Sequence, residues 1–379
     1  MPSIKWQIKH LFGMLKRGQI GGAAGLVTNK FLNRNLWIQY LTRRRGVDGH
    51  VPLETEGVTL FLDPDDDGIS RDLFTYGTRE EQAKDMMRRH LELLRLGTSG
   101  SITVLEIGAN KGYYAFQIAD LLGDRGDIHA VEPEPTNLEA LERGVSANGF
   151  ENITLESGAI GDSDGTAELH VSNRSNSHTL NEEFSAHVDA NYAGTIEISV
   201  WSVPTFLDRH DLNPTDVNVV RMDVEGYEAE IVESMQSIFE VGKPNLLFVE
   251  LHPHRVDAAR LHKAVDAIES ASLNLLFAQS TVARLSNYDE IREHVTVPEG
   301  RRSVELIAAT PPRENSKSTI GVLADEWDVS VEDLREVCLN HPSVRRQMLD
   351  LDAGEEIDIT RLQENVKSAL THEPIRGQP

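Results

Sequence analysis

The sequence has little that would place the protein outside the cell or inside a membrane. Its 379 residues include one cysteine, Cys338, so no intramolecular disulfide can form. It also lacks an uninterrupted apolar stretch of about 18 residues, the length that a membrane-spanning helix requires. Residues 18–27 are too weakly apolar for a secretory signal peptide, and no clean cleavage site follows them. We therefore expect a cytoplasmic protein.

Lysine is scarce, and acidic residues are in excess. The chain carries 61 Asp and Glu against 37 Lys and Arg, and its formal net charge is −24. Binding of a nucleic acid requires clustered Lys and Arg to neutralise the phosphates, so this composition argues against a nucleic-acid partner. An acid excess with few lysines is typical of proteins that stay soluble at high salt, although an ordinary acidic enzyme can have the same composition.

Residues 1–46 depart from this acidity, because they contain nine Lys or Arg and no Asp or Glu. Apolar side chains such as Trp6, Phe12 and Trp37 alternate with these cations in an amphipathic pattern. Such a segment either lies on an anionic membrane surface, here the inner face of the membrane, or packs as helices on the acidic remainder of the chain. The sequence leaves both interpretations open.

Composition divides the chain into three parts. We assign residues 1–50 to the basic amphipathic segment, residues 51–310 to one catalytic domain and residues 316–379 to an acidic helical extension. The extension has a pattern superficially like a helix-turn-helix, but its negative charge argues against DNA binding. Packing or dimerisation is its expected role.

Residues 104–112, with the sequence VLEIGANKG, are the most informative stretch. An apolar strand runs into a turn in which Gly108 and Gly112 allow a close approach of the backbone, and a helix is expected to follow. The next apolar strand, residues 128–131, ends in Glu132, 24 residues after Gly108. An acidic residue at about this offset reaches ribose hydroxyls in dinucleotide-binding folds. The pattern predicts a site for the nucleoside half of a cofactor.

The spacing of the glycines distinguishes between two classes of cofactor. A dinucleotide requires Gly-x-Gly-x-x-Gly, so that amides at the start of the helix can hold the pyrophosphate. The pattern here is Glu-x-Gly-x-Asn-x-Gly, with a carboxylate where the phosphates would lie. This suits a ligand with an amino group and a sulfonium, such as S-adenosylmethionine. We predict Glu106, Gly108, Asn110, Gly112 and Glu132 as cofactor-binding residues.

Two later strands of the predicted sheet also end in acidic residues. Asp223 and Glu225 follow one of them, and Glu250 and His252 follow the other. The carboxyl ends of parallel strands meet at one edge of a sheet, and side chains two positions apart point the same way. We therefore expect Asp223, Glu225, Glu250 and His252 to converge as catalytic residues.

In this order and spacing, the segments resemble the FkbM family of S-adenosylmethionine-dependent methyltransferases. The resemblance covers residues 65–255 and includes MDVEGYE at 222–228 and VELH at 249–252. It implies an α/β, Rossmann-like class I methyltransferase fold, with a mostly parallel central sheet flanked by helices. It also implies S-adenosyl-L-methionine as the cofactor and a hydroxyl of a sugar, glycan or macrolide-type product as the acceptor. Two residues depart from the family: Glu106 stands where Asp is common, and Arg221 where Lys is common.

Methyl transfer to a hydroxyl requires removal of its proton, because a sugar hydroxyl is too weak an acid to react unaided. Asp223, Glu225 or His252 would be the base, and we favour a mechanism without metal. In the alternative, Asp223, Glu250 and His252 hold a divalent cation that lowers the pKa of the hydroxyl.

Two other functions are compatible with the sequence. The fold would also suit a nicotinamide oxidoreductase, which the glycine spacing disfavours, or a non-catalytic protein of glycan metabolism. The polar loop at residues 172–179 is expected to be either a lip over the acceptor, which would be free or lipid-linked, or an exposed hairpin. Residues 63–68, DPDDDG, lack the closing glutamate of a calcium loop, so we expect their acids to face water.

Overall fold

The computed structural model describes residues 49–181, 192–280, 282–296, 303–310, 317–355 and 357–371. The strands in these ranges are β1 (Val51–Thr55), β2 (Val58–Leu62), β3 (Ile102–Ile107), β4 (Gly126–Glu132), β5 (Ile153–Ser157), β6 (Ala159–Gly161), β7 (Gly165–Ser172), β8 (Tyr192–Ser202), β9 (Val217–Met222), β10 (Leu246–Leu251), β11 (Asn274–Ser280), β12 (Arg284–Leu285) and β13 (Val304–Ala309).

Eight of these strands form the central sheet, in the order β12-β11-β13-β10-β9-β3-β4-β5. From β10 to β5 the strands are parallel, whereas β13 lies antiparallel between β10 and β11. Every residue of β3 and β9 is buried. This is expected of parallel strands whose two faces are both covered, and it explains why these segments are apolar without alternation.

The helices in the described ranges are α1 (Ile69–Tyr76), α2 (Glu81–Gly97), α3 (Tyr113–Leu122), α4 (Pro135–Asn148), α5 (Val203–Arg209), α6 (Glu228–Ser234), α7 (Gln236–Glu240), α8 (Ala258–Ser270), α9 (Tyr288–Thr296), α10 (Thr319–Trp327), α11 (Val331–Asn340), α12 (Pro342–Asp352) and α13 (Ile359–Thr371). A 3-10 turn, Gly123–Arg125, leads from α3 into β4.

Two layers of helices cover the sheet. Helices α5 to α9 pack on one face, against side chains such as Leu105 and Val220. Helices α1 to α4 and the β1-β2 hairpin pack on the other face, against side chains such as Val104 and Val219. Because neighbouring residues of a strand point to opposite faces, each strand contributes to both cores.

A small sheet, ordered β6-β8-β7, lies at the carboxyl end of the central strands. The strand β6 is parallel to β8, and β7 pairs with β8 as an antiparallel hairpin. Its apolar side chains include Ala159, Ile160 and Leu169, which form part of the wall of the cleft described below. The small sheet therefore helps to build the site.

The C-terminal helices share a core with α2. Leu93 and Leu96 of α2 pack against side chains of α10 to α13, and the buried Cys338 lies in the same core. Asp352 at the end of α12 accepts hydrogen bonds of 3.0 Å from Arg95 and from Arg125. The extension is helical, as the sequence predicts, and it is attached to the catalytic fold through these contacts.

The predicted α/β architecture with a mostly parallel sheet is confirmed. The helix expected at residues 113–122 is α3, and the strand before Glu132 is β4. The basic segment at residues 1–46 lies outside the described ranges. Within the part of the chain that the structure describes, no helix is both long and apolar enough to cross a membrane.

Candidate active site

The turn between β3 and α3 is built from residues with positive φ. Gly108, Asn110 and Gly112 have φ of 81°, 51° and 87°. Glycine adopts this region without strain, and asparagine tolerates it better than most residues. The backbone N–H groups of Gly108 and Ala109 donate to the carbonyl oxygen of Val131 at 3.0 Å. The turn is thereby fixed against the end of β4.

Gly108 is required by a contact within the protein. A Cβ at this position would lie inside contact distance of the carbonyl oxygen of Asp223, with Val224 Cγ1 at 3.4 Å. Gly108 also lines the cleft described below, so its predicted place at the cofactor stays a prediction beside this contact. The absent side chain lets the glycine turn approach the carboxyl end of β9, which carries the predicted catalytic carboxylates.

We expect Gly108→Ala to destabilise the protein by about 2 to 4 kcal/mol, because it combines a backbone collision with a strained φ. Urea unfolding measures this loss. Gly149→Ala is a matched control, since its φ is also positive at 68° but nothing lies within 4 Å of the new methyl group. The control should lose only about 1 kcal/mol, the cost of strain alone. Equal losses in the two variants would mean that the approach to Asp223 is unimportant.

Gly112 and Glu106 are not among the residues that line the cleft, although the sequence analysis places both at the cofactor. A Cβ on Gly112 would lie 2.5 Å from Phe116 and 2.8 Å from Leu141, so this glycine allows close packing at the start of α3. Glu106 is fully buried under the turn and accepts a hydrogen bond of 2.8 Å from Arg221. The geometry gives both residues supporting positions.

Glu132 lies at the wall of the cleft, at the end of β4. One carboxylate oxygen accepts a hydrogen bond of 2.7 Å from the backbone N–H of Asn110, and the other accepts one of 2.9 Å from Glu134. Burial raises the pKa of Glu132 to about 7, although these two N–H donors act in the opposite direction. Each oxygen keeps further acceptor capacity for a ligand hydroxyl.

The cleft beside Glu132 has an empty volume of about 640 Å³, part of which is open to solvent. Val131, Pro133 and Ile160 provide apolar wall, which suits a purine ring. The residues therefore fit S-adenosylmethionine: the apolar wall would hold the adenine, and Glu132 would accept hydrogen bonds from the ribose.

The affinity for S-adenosylmethionine should fall by roughly tenfold between pH 8 and pH 6. Glu132, with its pKa of about 7, is ionised at pH 8 and protonated at pH 6, and only the carboxylate accepts two ribose hydrogen bonds without competition from its own proton. Isothermal titration at the two pH values measures the change. Glu132→Gln is the control, because its weak binding should not depend on pH. The same pH dependence in this variant would assign the titration to another group.

The loop at residues 172–179 covers the cleft on the cofactor side. The carbonyl oxygen of Ser175 accepts hydrogen bonds from the side-chain amides of Asn110 at 2.6 Å and Asn137 at 3.0 Å. Its backbone N–H and hydroxyl both donate to Asp66. Ser175 and His178 also line the cleft, so this loop forms a roof over the cofactor region.

Asp65 and Asp67 are exposed, as the sequence predicts, but Asp66 is not. It is 6% exposed and accepts hydrogen bonds from Gly68, Ser70 and Ser175. Burial alone would raise the pKa of Asp66, but the ammonium of Lys111 and the bonds from Ser175 lower it to about 2. Its neighbours in sequence give no sign of this role, because its main partners lie far along the chain.

The structure brings the four predicted catalytic residues together around the His252 ring. From Nε2 of His252, the nearest carboxylate oxygens lie at 3.6 Å on Glu225, 3.6 Å on Glu250 and 3.9 Å on Asp223. Asp223 and Glu225 also line the cleft that contains Glu132. The acidic cluster and the cofactor region therefore share one cavity.

His252 has a further partner that the sequence analysis does not identify. Its Nδ1 lies 2.5 Å from Glu228 on α6, a carboxylate that is itself fully buried and also accepts from the N–H of Gly226. Burial alone would lower the pKa of His252, but the carboxylates of Glu225 and Glu228 outweigh it and raise this pKa well above its usual value. The raised pKa favours the protonated ring, so the carboxylates of Asp223 and Glu225 are favoured over His252 among the three predicted bases.

Two arginines neutralise part of the cluster. Arg221 on β9 contacts Asp223 at 3.2 Å as well as Glu106, and its guanidinium lies 4.2 Å from the centre of the Tyr114 ring. Arg255 contacts Glu225 at 2.9 Å. Arg255 follows the VELH segment by three positions, and no pattern in the sequence indicates its contact with Glu225.

Comparisons with known proteins identify the family of the chain. The model of the FkbM methyltransferase domain matches residues 106–337. Two archaeal protein-L-isoaspartate O-methyltransferases match short segments: that of Archaeoglobus fulgidus is 42% identical over 52 residues, and that of Methanococcoides burtonii is 33% identical over 73. These segments cover 14% and 19% of this chain, and only 24% and 35% of the two relatives.

Two solved structures are also similar to the chain. The FkbM methyltransferase of Methylobacillus flagellatus is 12% identical, with a TM-score of 0.34, and the match covers 62% of this chain and 65% of that one. A precorrin-6y C5,15-methyltransferase of Geobacter metallireducens is 15% identical, with a TM-score of 0.32, over 59% of this chain and 87% of that one. Because the family model matches more than half of its residues, the chain belongs to the FkbM methyltransferase domain family, a family of S-adenosylmethionine-dependent methyltransferases.

Proposed function

We propose that the protein is an S-adenosylmethionine-dependent O-methyltransferase that acts on a hydroxyl of a sugar, glycan or related small molecule. The observation that carries the proposal is the shared cleft, which is lined by Asp223 and Glu225 as well as by Glu132 and Pro133. A hydroxyl placed beside Asp223 and Glu225 in this cleft would be close to a proton acceptor in the same cavity as the methyl donor.

The chemistry of the acceptor follows from the charge of the site. When bound, the cofactor supplies an electrophilic methyl group on a sulfonium. Glu132 would hold its ribose, the glycine turn would position it, and the carboxylates at the ends of β9 and β10 would orient the hydroxyl and take its proton. A carboxylate acceptor needs no base and would be repelled by Asp223, Glu225 and Glu250. The acidic cluster therefore favours a neutral, hydroxyl-bearing acceptor.

A transfer assay with methyl-labelled S-adenosylmethionine tests this proposal. The purified chain is incubated with neutral sugars, glycans and lipid-linked sugars, and in parallel with an isoaspartyl peptide and an RNA. Label in a hydroxylated acceptor, released as a methyl ether, is the expected result. Label confined to the peptide carboxyl or to RNA would contradict the proposed class of acceptor.

The basic segment at residues 1–46 supports a more specific proposal, in which the acceptor is linked to a lipid. If it contacts an anionic membrane, the acceptor is lipid-linked, and the full-length chain should sediment with anionic liposomes at low salt but not at high salt. Deletion of residues 1–46 should abolish sedimentation and leave methylation of a soluble acceptor unchanged. An insoluble deletion variant, with no liposome binding by the full chain at any salt, would support packing of this segment on the domain instead.

A further inference from the structure

We propose that Asp223, Glu225 and His252 are the protein ligands of a divalent metal ion, with Glu250 beside it as the acceptor of the substrate proton. One ligand atom from each of the three residues lies within 4.8 Å of the others. The inference replaces the metal-free expectation drawn from the sequence. Its catalytic part rests on the proposed function, whereas the metal site itself does not.

The distances around His252 match those between ligands of one cation. At 3.6 to 3.9 Å from Nε2, the oxygens of Glu225, Glu250 and Asp223 are too far for an N–H···O hydrogen bond of about 2.7 to 3.2 Å. Two ligands that each lie about 2.1 Å from a metal are about 3 to 4 Å apart. The ring is only 3% exposed, and its Nε2 faces the three carboxylates at distances beyond hydrogen-bond range.

The other side of the His252 ring is fixed in the way that metal-binding histidines are fixed. Nδ1 lies 2.5 Å from the fully buried Glu228, which is held in turn by the N–H of Gly226. Such a carboxylate partner sets the tautomer and the orientation of the ring and leaves Nε2 free for a metal. A histidine that served only as an ion-pair partner would not need this separate anchor.

The charges and the donor types indicate which kind of ion fits. Arg221 contacts Oδ2 of Asp223, whereas Oδ1 is the oxygen nearest to His252. Arg255 contacts Oε2 of Glu225, the same oxygen that faces Nε2 of His252. Glu250 interacts electrostatically with Arg79. A bound dication would compensate the remaining carboxylates. One imidazole nitrogen with two carboxylates suits Mn²⁺, Fe²⁺ or Zn²⁺ better than Ca²⁺, which prefers oxygen alone.

An ion at this position would have an open side toward the cleft, because the side chain of Asp223 is 27% exposed and lines it. The acceptor hydroxyl could bind there, and its pKa would fall. In the transfer step the hydroxyl proton passes to the carboxylate of Glu250, the new O–C bond forms, and the S–C bond of the cofactor breaks. The neutral thioether that remains is the leaving group.

Titration of the chelator-treated full chain with Mn²⁺, followed by electron paramagnetic resonance of the free ion, tests the site. We expect one Mn²⁺ per chain. Glu225→Gln and His252→Gln should each weaken binding by about tenfold or more. Glu305→Gln is the matched control, because it makes the same chemical change at the residue that lies opposite Glu250 in the pairing of β10 with β13. The affinity of this variant for Mn²⁺ should stay within about threefold of that of the unaltered chain. Thermal unfolding of each variant checks that it is folded.

Other outcomes separate this inference from the proposed function. Absence of Mn²⁺ and Zn²⁺ binding, or unchanged binding by the Glu225 and His252 variants, would overturn the metal site. Methyl transfer that persists in excess chelator would overturn its catalytic role while leaving the proposed function intact. Mn²⁺ binding that Glu132→Gln retains while losing S-adenosylmethionine would support a metal site separate from the cofactor wall.

Discussion

Replacement of Asp223 by asparagine is expected to lower turnover by about 100-fold or more while the affinity for S-adenosylmethionine stays within about twofold. The reason is that Asp223 lies in the cleft at the carboxyl end of β9, next to His252, and is not among the residues expected to hold the cofactor. Loss of its charge removes a group that acts on the acceptor hydroxyl, whether as a base or as a metal ligand. Steady-state methyl transfer and a cofactor titration measure the two quantities separately.

Asp216→Asn is the matched control for this prediction. Asp216 precedes the opposite end of β9, where it binds Asn213 in an exposed turn. The same chemical change should leave turnover unchanged there. His252→Ala should behave like Asp223→Asn. Equal losses of turnover and cofactor binding in the Asp223 and His252 variants would show that both residues support the structure and do not act in the transfer step.

Arg221→Leu is expected to lower the free energy of unfolding by about 3 to 5 kcal/mol, the cost of leaving a buried charge without its partner. Arg221 is 4% exposed and is the guanidinium partner of Glu106, which is fully buried. Burial already raises the pKa of Glu106 to about 7 even with Arg221 present. Without the arginine, Glu106 must take up a proton to fold. Urea unfolding at pH 8 measures the loss.

The pH and a second substitution provide the controls. As the pH is lowered toward 5, Glu106 binds its proton more readily, so the loss caused by Arg221→Leu should shrink. Arg221→Lys keeps the charge and should cost less than Arg221→Leu. The double variant with Glu106→Leu removes both charges and should recover much of the stability. If Arg221→Leu lowers the free energy of unfolding by less than about 1 kcal/mol at pH 8, the ion pair between Arg221 and Glu106 does not stabilise the protein.

The sequence predicts those parts of the site whose geometry follows from local pattern. Glu132 ends an apolar strand, and Asp223 and Glu250 follow two others, so the parallel sheet brings their side chains to one edge. The convergence of Glu225 and His252 follows from the same argument. The helix α3 begins and ends where its flanking glycines indicate.

Contacts between residues that are distant in sequence cannot be predicted from local patterns. The bond from Ser175 to Asp66 joins residues 109 positions apart, and no periodicity indicates it. The close contact of Gly108 with Asp223 could not be predicted either, because a glycine in a turn indicates a close approach of the backbone but not which neighbour is close. The charge of Glu106 favours a ligand contact when only the sequence is considered. In the structure, Glu106 is buried and accepts a hydrogen bond from Arg221.

The most direct test of the cofactor site is isothermal titration of the purified chain with S-adenosylmethionine and, separately, with NAD. We expect one S-adenosylmethionine to bind per chain and no binding of NAD. In Glu132→Ala, the binding free energy of S-adenosylmethionine should fall by about 1 to 3 kcal/mol. Binding of NAD without S-adenosylmethionine, or a Glu132→Ala variant with unchanged affinity for S-adenosylmethionine, would contradict the assignment of the cleft between Glu132 and Asp223 as the cofactor site.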